Sequence, residues 1–316
     1  MWVVLTHPYL YTNNISLYMN IIYLTSYKNR HNTKGGLLYI PSGKPTPPQP
    51  TPPYEDYLWF ENYYPTDLTI TLNPSNLKFT NLHYSYDGRN WTPTTNMSYH
   101  TDQGQRLYLS WEDLSIIASG SASPALFTVS NPYKLGGKLN KGNYNFLFIR
   151  QSQLTDAGEL ELTNMSPVAY GYQYMFAQTT VMEVGPKVLP ITSFTADQSG
   201  VYNFMFQYSA IKEAPAIKLR TCAGYGAMGN MFRNSKLEKV VFEFEGNFSD
   251  YTSRTCGYCT SLQSVTFTAT TPPTIASAMF QNASTTFKIY VPAESVAIYK
   301  TATVFSQYAS RIYPIE

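Results

Sequence analysis

The chain has 316 residues, a net charge of +2 and a charged fraction of 13%, well under the share of about 25% that is usual in globular domains. Without a basic block, this charge balance gives little electrostatic support for nucleic-acid binding. Aromatic residues make up 16% of the sequence, led by 28 tyrosines, and the apolar fraction is too large for a disordered chain. The composition is more typical of a β-rich extracellular or virion surface than of a cytosolic enzyme.

Residues 1–40 form an N-terminal segment whose role the sequence leaves open. Residues 1–27 contain no Lys, Arg, Asp or Glu, and they lack both the basic start and the small-residue cleavage site of a signal peptide. They are also too polar to predict a membrane span. Met19 is an alternative start to Met1, and residues 35–40 favour a short strand.

Residues 41–56 are predicted to be a proline-rich linker. Residues 41–53 contain seven prolines, which exclude a helix or a central strand and favour a stiff, extended polyproline conformation. The segment either joins an N-terminal tag to the first domain or tethers the protein to a larger assembly, and the sequence does not separate these alternatives.

Residues 57–140 are predicted to form an antiparallel, sandwich-like β domain. Apolar and polar residues alternate through residues 68–72, 82–86 and 107–111, as in strands that turn one face to a core. Asp87 and Gly88 supply a hairpin turn after the second of these strands.

A degenerate repeat fills residues 141–292 and predicts a solenoid, because units of about 20–30 residues can bury their apolar faces only against one another. In each unit a lead residue is followed after five or six positions by an aliphatic residue and three positions later by Ala or Val. The lead residues, spaced 28, 30, 26, 24 and 24 positions apart, are Phe148, Phe176, Phe206, Phe232, Cys256 and, in a degenerate sixth unit, Phe280.

We expect the lead phenylalanines to stack as one buried ladder. The aliphatic position beside the ladder is assigned to Leu154, Val181, Ile211, Leu237 and Leu262, and the next position to Ala157, Val184, Ala214, Val240 and Val265. Turns and short helical pieces are expected on the side opposite the strands. The predicted strands are residues 159–162, 187–189, 216–219, 240–244, 264–269 and 287–291.

Cys256 and Cys259 form a C-x-x-C pair, a spacing shared by zinc ligands and redox sites. Zinc would need further ligands, but the sequence has neither a second such pair nor a histidine after His100. Cys256 also takes the lead position of a repeat unit, and Cys259 takes a small buried position. We therefore predict two packed, inert thiols and no bound metal or cofactor.

Residues 293–316 are predicted to form a small helical cap over the open end of the solenoid. Pro292 suits the first turn of a helix, and the residues after it have helical periodicity. A terminal repeat needs such a cover because an open end would expose apolar strand edges.

Residues 231–240 and 259–265 resemble BspA-type leucine-rich repeats, whose units read approximately M-F-x-x-C-x-x-L-x-x-V. Residues 57–62 and 84–91 resemble the β domain that precedes such repeats in Bacteroidales proteins, and residues 289–300 and 308–312 resemble the segment that follows them. The resemblance implies a leucine-rich-repeat solenoid in a non-enzymatic surface protein that binds host or matrix ligands. Similar proteins in Bacteroides phages imply a virion part instead.

The chain departs from this family in two ways: Cys256 replaces a lead phenylalanine, and three units lack one residue before the aliphatic position. The outward strand residues of the repeats are the candidate binding surface, since they would line up across successive strands. Their mixed charges and hydroxyls suit a cell-surface glycan or protein, or a neighbouring virion subunit, and a solvated face without a ligand is the alternative. The predicted residues are Glu161, Lys218, Glu243, Thr266, Thr268, Lys288 and Tyr290.

No catalytic residues are predicted. Two of the four histidines, His7 and His31, lie in the N-terminal segment, and neither G-x-S-x-G nor H-E-x-x-H occurs. Acids such as Glu159 and Glu245 are assigned as solvated strand residues rather than as a glycosidase pair. Residues 85–91 resemble the Asp-box hairpin of sialidase propellers, but a single such hairpin predicts a structural turn.

The sequence therefore predicts non-enzymatic recognition or adhesion, outside the cell, on a bacterial surface or a phage virion. A purely structural virion component that packs against neighbouring subunits and a carbohydrate-active enzyme are the alternatives. No nucleic-acid partner and no membrane span are predicted.

Overall fold

The computed structural model describes residues 51–117, 125–164, 167–190 and 193–316. The predictions made for the N-terminal segment, for the two histidines in it and for most of the proline-rich linker lie outside the described residues. The chain is a mainly β protein with a β-solenoid of about seven turns and a short C-terminal helix.

The N-terminal region consists of antiparallel strands. They are β1 (Asp56–Glu61), β2 (Leu68–Leu72), β3 (Leu77–Thr80), β4 (His83–Ser85), β5 (Thr92–Pro93), β6 (Ser98–Thr101), β7 (Arg106–Trp111), β8 (Asp113–Ile116), β9 (Phe127–Val129) and β10 (Tyr133–Leu139). Hydrogen bonding gives the strand orders β10-β1-β7-β4-β5, β6-β2-β9 and β3-β8.

The strands predicted at residues 68–72 and 107–111 are confirmed as β2 and β7, and β4 forms the centre of the third predicted strand. In β2 and β7 the apolar residues of the period-two pattern are buried, together with Ser110 of β7. The third strand departs from its pattern, because Ser85 is buried and Tyr86 is 45% exposed. The ring centroids of Phe60 on β1 and Phe127 on β9 lie 5.6 Å apart, so two of the sheets meet through aromatic packing. A sandwich-like arrangement of the whole region remains a prediction.

Strand β11 (Leu154–Leu162) comes from the first repeat unit but pairs in parallel with β10. It extends the larger N-terminal sheet to the order β11-β10-β1-β7-β4-β5. The repeat region and the preceding β region therefore share a sheet, and their buried side chains belong to one hydrophobic core.

The remaining strands of the solenoid pair in parallel, turn upon turn. They are β12 (Ser193–Phe194), β13 (Ile217–Leu219), β14 (Thr221–Cys222), β15 (Lys239–Phe244), β16 (Asn247–Phe248), β17 (Ser264–Phe267), β18 (Thr274–Ile275) and β19 (Lys288–Val291). The main sheet has the order β13-β15-β17-β19-β20, where β20 (Ile312–Pro314) ends the chain, and β12-β14 and β16-β18 form two small pairs.

Proline shortens the strands of the early turns. Of the strand predicted at residues 187–189, the structure has a single bridge, between Val188 and Ala216, and β13 begins only after Pro215. Pro186 and Pro215 carry no backbone N–H for a sheet hydrogen bond, so the ladder is interrupted beside each of them.

Four lead phenylalanines form the predicted buried ladder. The centroid distances are 5.4 Å for Phe148–Phe176, 5.5 Å for Phe176–Phe206 and 5.4 Å for Phe206–Phe232, and the planes are within 19° of parallel. Phe280 is also buried, but its ring contacts Phe287 and Tyr308 at the end of the chain, because Cys256 occupies the intervening turn.

The aliphatic position beside the ladder is correct in every unit but the second. Of the residues assigned to the next position, Ala157, Val240 and Val265 are buried and Ala214 is half-buried. Leu154, Ile211, Leu237 and Leu262 are buried as predicted, whereas Val181 and Val184 are 41% and 47% exposed. In the second unit the buried positions belong to Met182 and Gly185. The assignment of Val181 and Val184 was therefore wrong by one residue. A Cβ on Gly185 would lie 2.9 Å from Ile211 Cδ1, so a larger residue at this position would require the Ile211 side chain to shift.

On the side opposite the strands, each solenoid turn is a run of tight reverse turns in which about every fourth residue has a positive φ. In the second unit these residues are Tyr170, Tyr174 and Gln178, with φ of 62°, 56° and 62°. A left-handed conformation costs a residue other than glycine about 1–2 kcal/mol. Hydrogen bonds between successive turns offset this cost, for example from Phe176 N to Met205 O at 2.8 Å. These reverse turns take the place of the short helical pieces that the sequence predicted.

Both cysteines of the C-x-x-C pair are buried and unbridged in packing positions, as predicted. The Sγ atom of Cys259 lies 3.0 Å from the carbonyl oxygen of Phe232. Burial raises the pKa of the Cys259 thiol to about 11 and raises that of Cys256 well above its usual value. Neither thiol is thus a thiolate near neutral pH, which is the form needed for redox chemistry or metal binding.

The C-terminal cap follows β19. It comprises a 3₁₀ turn at Ala293–Ser295, helix α1 (Val296–Thr301), a second 3₁₀ segment at Phe305–Arg311 and β20, which pairs in parallel with β19. Tyr299 and Phe305 pack against the ring of Phe267, at centroid distances of 6.3 and 5.0 Å. The small helical cap is confirmed, and the chain adds a final strand that the sequence analysis did not predict.

Candidate functional site

The outward side chains of the solenoid sheet form a face that we call the outward face. Its central row runs across the parallel strands at equivalent register positions. Along β15, β17 and β19 the neighbours of a central-row residue point into the core, and the next residue on either side points outward again. No member of the central row is fully buried. The row consists of Val188, Ala216, Val241, Thr266, Tyr290 and Tyr313.

Six of the seven predicted binding residues lie on the five-stranded sheet of this face, and none of the six is fully buried. Thr266 and Tyr290 belong to the central row. Lys218 and Glu243 are register partners with Nζ and Oε2 3.2 Å apart, and Thr268 follows on the next strand. Lys288 lies with its Nζ 5.4 Å from the ring centroid of Tyr313.

Glu161 lies elsewhere, on β11 opposite Lys138 in the N-terminal sheet, and not on the five-stranded sheet with the other six. The outward faces of the two sheets are nevertheless continuous. Single bridges join Asp156 of β11 to Val184, Val184 to Glu213, and Glu213 to Lys239. The outward face therefore extends across the solenoid into the N-terminal sheet, and Glu161 lies on its N-terminal part.

Two adjoining depressions mark the middle of the outward face, and together we call them the central groove. The first encloses about 520 Å³ between residues 158–163 of β11 and the pair Lys187–Val188. The second encloses about 540 Å³ between residues 183–187, 212–216 and Glu238. The groove coincides with the prolines that interrupt the ladder, and Lys187 lines both of its halves.

The charges around the central groove are mostly paired. Lys212 Nζ lies 2.7 Å from Glu183 Oε1, and Lys239 Nζ lies 3.2 Å from Glu213 Oε1. The hydrogen bond with Glu183 raises the pKa of Lys212. Surface pairs of this kind contribute little to stability, but they leave a face with a weak net field.

Of the acids that a glycosidase could use, Glu159 and Glu245 are exposed and Glu243 is half-buried, and two of them are ion-paired. An oxygen of Glu159 lies 3.8 Å from Nη2 of Arg106, and Glu243 pairs with Lys218. Among the described residues no group of three or more His, Cys, Asp and Glu side chains could hold a metal ion. In the same ranges no helix has the length and apolar character of a membrane span. The absence of a cofactor or of catalysis stays a prediction.

The apolar part of the outward face was not predicted from the sequence. Val188 is 66% exposed, and Ala216 and Val241 continue its row. The alternation in residues 240–244 contained a signal for Val241, since this residue lies between two buried positions of the strand. No alternating pattern surrounds Val188, because this residue forms a single bridge and lies between two prolines.

The fold and this face define a class, a mainly β protein built on a β-solenoid with an open sheet surface. No protein-family model, no curated protein and no solved structure matches the chain.

Proposed function

We propose that this chain is a non-enzymatic recognition protein that binds a protein on a cell surface through the outward face of its solenoid. The observation that carries the proposal is the exposed central row with Val188 at one end and Tyr290 and Tyr313 at the other. Contiguous apolar side chains on a surface, bordered by polar ones, are typical of protein interaction sites.

The charges that border the row favour a protein partner over an anionic polymer. Lysines of the face are held by glutamates, as in Lys212–Glu183 and Lys218–Glu243. An anionic glycan or nucleic acid would gain most from unpaired cations. A protein can instead cover an apolar row and meet a rim of alternating charges.

The resemblance to BspA-type leucine-rich repeats supports an extracellular location and an adhesive role for such a face. Within the proposal, the protein is displayed on a bacterial surface or on a phage virion. The rows of equivalent residues on successive turns support the repeat comparison, since they give a partner a surface built from repeated units.

A second candidate function is a structural virion component that packs against neighbouring subunits. Exposed tyrosines on the turn side of the solenoid favour it, led by Tyr225, which is 77% exposed, and including Tyr170 and Tyr208. Such residues provide a second apolar surface, away from the outward face.

Binding of the labelled protein to Bacteroidales cells, measured by flow cytometry, tests the proposal. Val188→Asp and Tyr290→Ala should each reduce binding about tenfold, while Tyr225→Ala, a matched change on the turn side, should leave it unchanged. Mild protease treatment of the cells should abolish binding. Binding that survives protease but is lost after periodate oxidation of glycans would contradict a protein ligand. Binding lost only in Tyr225→Ala would favour the structural role.

A further inference from the structure

A second cavity lies at the β4–β5 hairpin, on the outward side of the N-terminal sheet, and we call it the hairpin cleft. It encloses about 450 Å³, which is within the range of small-molecule sites. Residues of β1, β7 and the hairpin line it, together with Thr51 and Pro52. Its aromatic and basic side chains are Tyr57, Trp59, Arg89, Trp91, Arg106 and Tyr108.

Trp91 and Tyr108 supply ring surface to the hairpin cleft. Both are half-buried, and their rings meet at 75° with centroids 6.4 Å apart. In an edge-to-face pair the ring that presents its edge keeps both of its faces free of the other ring. Such a face can pack against the apolar C–H side of a sugar ring.

Trp59 has a supporting role instead. It is 6% exposed, with the guanidinium carbon of Arg106 3.9 Å above its ring centroid. Behind it, a Cβ on Gly136 would lie 2.0 Å from the indole, so only glycine fits there. The stacked pair of Trp59 and Arg106 forms a fixed side of the cleft, and Arg106 is held further by Glu61, whose Oε2 lies 2.5 Å from Nη2.

The hairpin holds its own polar groups in place around the cleft. The Asp87 carboxylate accepts hydrogen bonds from the backbone N–H groups of Asn90 and Arg89, both at 2.8 Å, and from the Ser85 hydroxyl at 2.9 Å. These bonds hold the pKa of Asp87 below its usual value. The Arg89 side chain is exposed and makes no ion pair with any described residue.

The remaining donor is the phenol of Tyr57. Burial and the charge of Glu161 raise its pKa, so it stays protonated and able to donate. The two arginines of the cleft face Asp87, the two acids beside Arg106, which are Glu61 and Glu159, and Glu161 near Tyr57, so the cleft has no surplus of positive charge for an anionic ligand. The cleft therefore combines ring surface with several N–H and O–H donors and has no excess of positive charge.

We propose that the hairpin cleft binds a neutral pyranose sugar of a cell-surface glycan. The C–H side of the sugar packs on Trp91, and its hydroxyl oxygens accept hydrogen bonds from Arg89, Arg106 and Tyr57. Aromatic walls with a few convergent polar groups are the usual make-up of a small-ligand site. The inference goes beyond the proposed function and does not depend on it, because it places a different ligand class at a separate site.

Saturation-transfer NMR on the full chain tests the inference. The probes are methyl glycosides of glucose, galactose, mannose and N-acetylglucosamine, with methyl glucuronide as the acidic counterpart. At least one neutral glycoside should bind with a dissociation constant on the order of 1 mM, as expected for so small a ligand. Trp91→Ala and Arg89→Ala should each weaken binding about tenfold. Tyr225→Ala, which removes an exposed aromatic ring far from the cleft, should not change it.

Arg89→Ala alters an exposed side chain, so it keeps the test informative if Trp91→Ala fails to fold by circular dichroism. Failure of every neutral glycoside to bind would overturn the inference, as would equal binding by the wild type and the folded Arg89→Ala variant. Binding of the glucuronide alone would also overturn it, because the cleft would then select an anionic sugar instead of a neutral one. Cell attachment through the outward face can succeed or fail independently of these results.

Discussion

The rings of Phe206 and Phe232 lie 5.4 Å apart with their planes within 5° of parallel, although 26 residues separate them along the chain. Both side chains are completely buried. The backbone N–H of Phe206 also donates to Met231 O at 2.8 Å, so ring stacking and the hydrogen bond between turns act at the same position. Each turn of the solenoid is thus held to the next through its lead residue.

Phe232→Ala is expected to destabilise the protein by about 3–5 kcal/mol, the usual loss for a buried phenylalanine. Chemical denaturation measures the change in the free energy of unfolding. Tyr225→Ala removes an exposed ring from the same turn and should cost less than about 0.5 kcal/mol. Equal, small effects for the two variants would contradict the buried ladder.

Stability should fall as the pH rises through the window from about 9 to 11. The pKa of Cys259 is raised to about 11 in the folded state, so folding favours the neutral thiol. This contribution is complete below pH 9 and is lost as the pH rises, because the unfolded chain releases the proton first. Two pKa units correspond to about 2–3 kcal/mol.

Cys259→Ser provides the matched variant for this pH dependence. Ser209 occupies the equivalent position two turns earlier and donates to Phe206 O at 2.7 Å, so a serine fits the site. The variant should fold and should show a shallower loss of stability between about pH 9 and 11 in urea titrations. An unchanged slope would show that Cys259 does not titrate in this window.

Charge reversal on the outward face should separate binding from folding. Lys218→Glu, Glu243→Lys and Lys288→Glu are each expected to weaken cell attachment while changing stability by less than about 0.5 kcal/mol. The double variant Lys218→Glu with Glu243→Lys restores the ion pair in reverse and should recover stability without recovering attachment. Undiminished attachment in all three, combined with its loss in the folded Arg89→Ala variant of the hairpin cleft, would move the recognition role to the N-terminal region.

Removal of residues 1–53 should leave the melting temperature nearly unchanged. The described contacts of the linker increase at Tyr54, whose N–H donates to Ser110 Oγ at 3.2 Å and whose ring lies 5.5 Å from that of His83. Limited proteolysis should release a resistant fragment that begins near Tyr54. A fall of more than about 5 °C, or over 1 kcal/mol for a domain of this size, would make the segment part of the fold.

The sequence predicted the core best where the same position is buried in each turn of the solenoid. Phe148, Phe176, Phe206 and Phe232 could be placed in one ladder because a solenoid puts the same apolar residue at the same place in each turn. The second unit failed because Val181 and Val184 look more like core residues than Met182 and Gly185 do. Gly185 is buried because the side chain of Ile211 packs closely against it. This contact depends on the next turn of the solenoid and cannot be predicted from the glycine itself.

The candidate sites were predicted less well than the fold. The register of Lys218 with Glu243 followed from the strand pattern, but Glu161 belongs to a sheet that β11 joins by pairing across the chain. The hairpin cleft depends on residues far apart in sequence, such as Trp59 and Trp91, which only the antiparallel pairing brings together. Non-glycine residues with positive φ, such as Tyr174, depend on hydrogen bonds between turns that no local pattern encodes.

Single bridges join the two long sheets on their β11 and β13 sides, and the opposite ends of the sheets are β5 and β20. These two end strands are only two and three residues long, and each contains a proline, Pro93 or Pro314. Proline offers no N–H to an incoming chain, and a short strand gives it little length on which to pair. A parallel-stranded protein with a flat sheet is otherwise a good template for fibre growth. These two strand ends should keep the molecules separate at high concentration, so the broad open surface can be displayed without seeding aggregates.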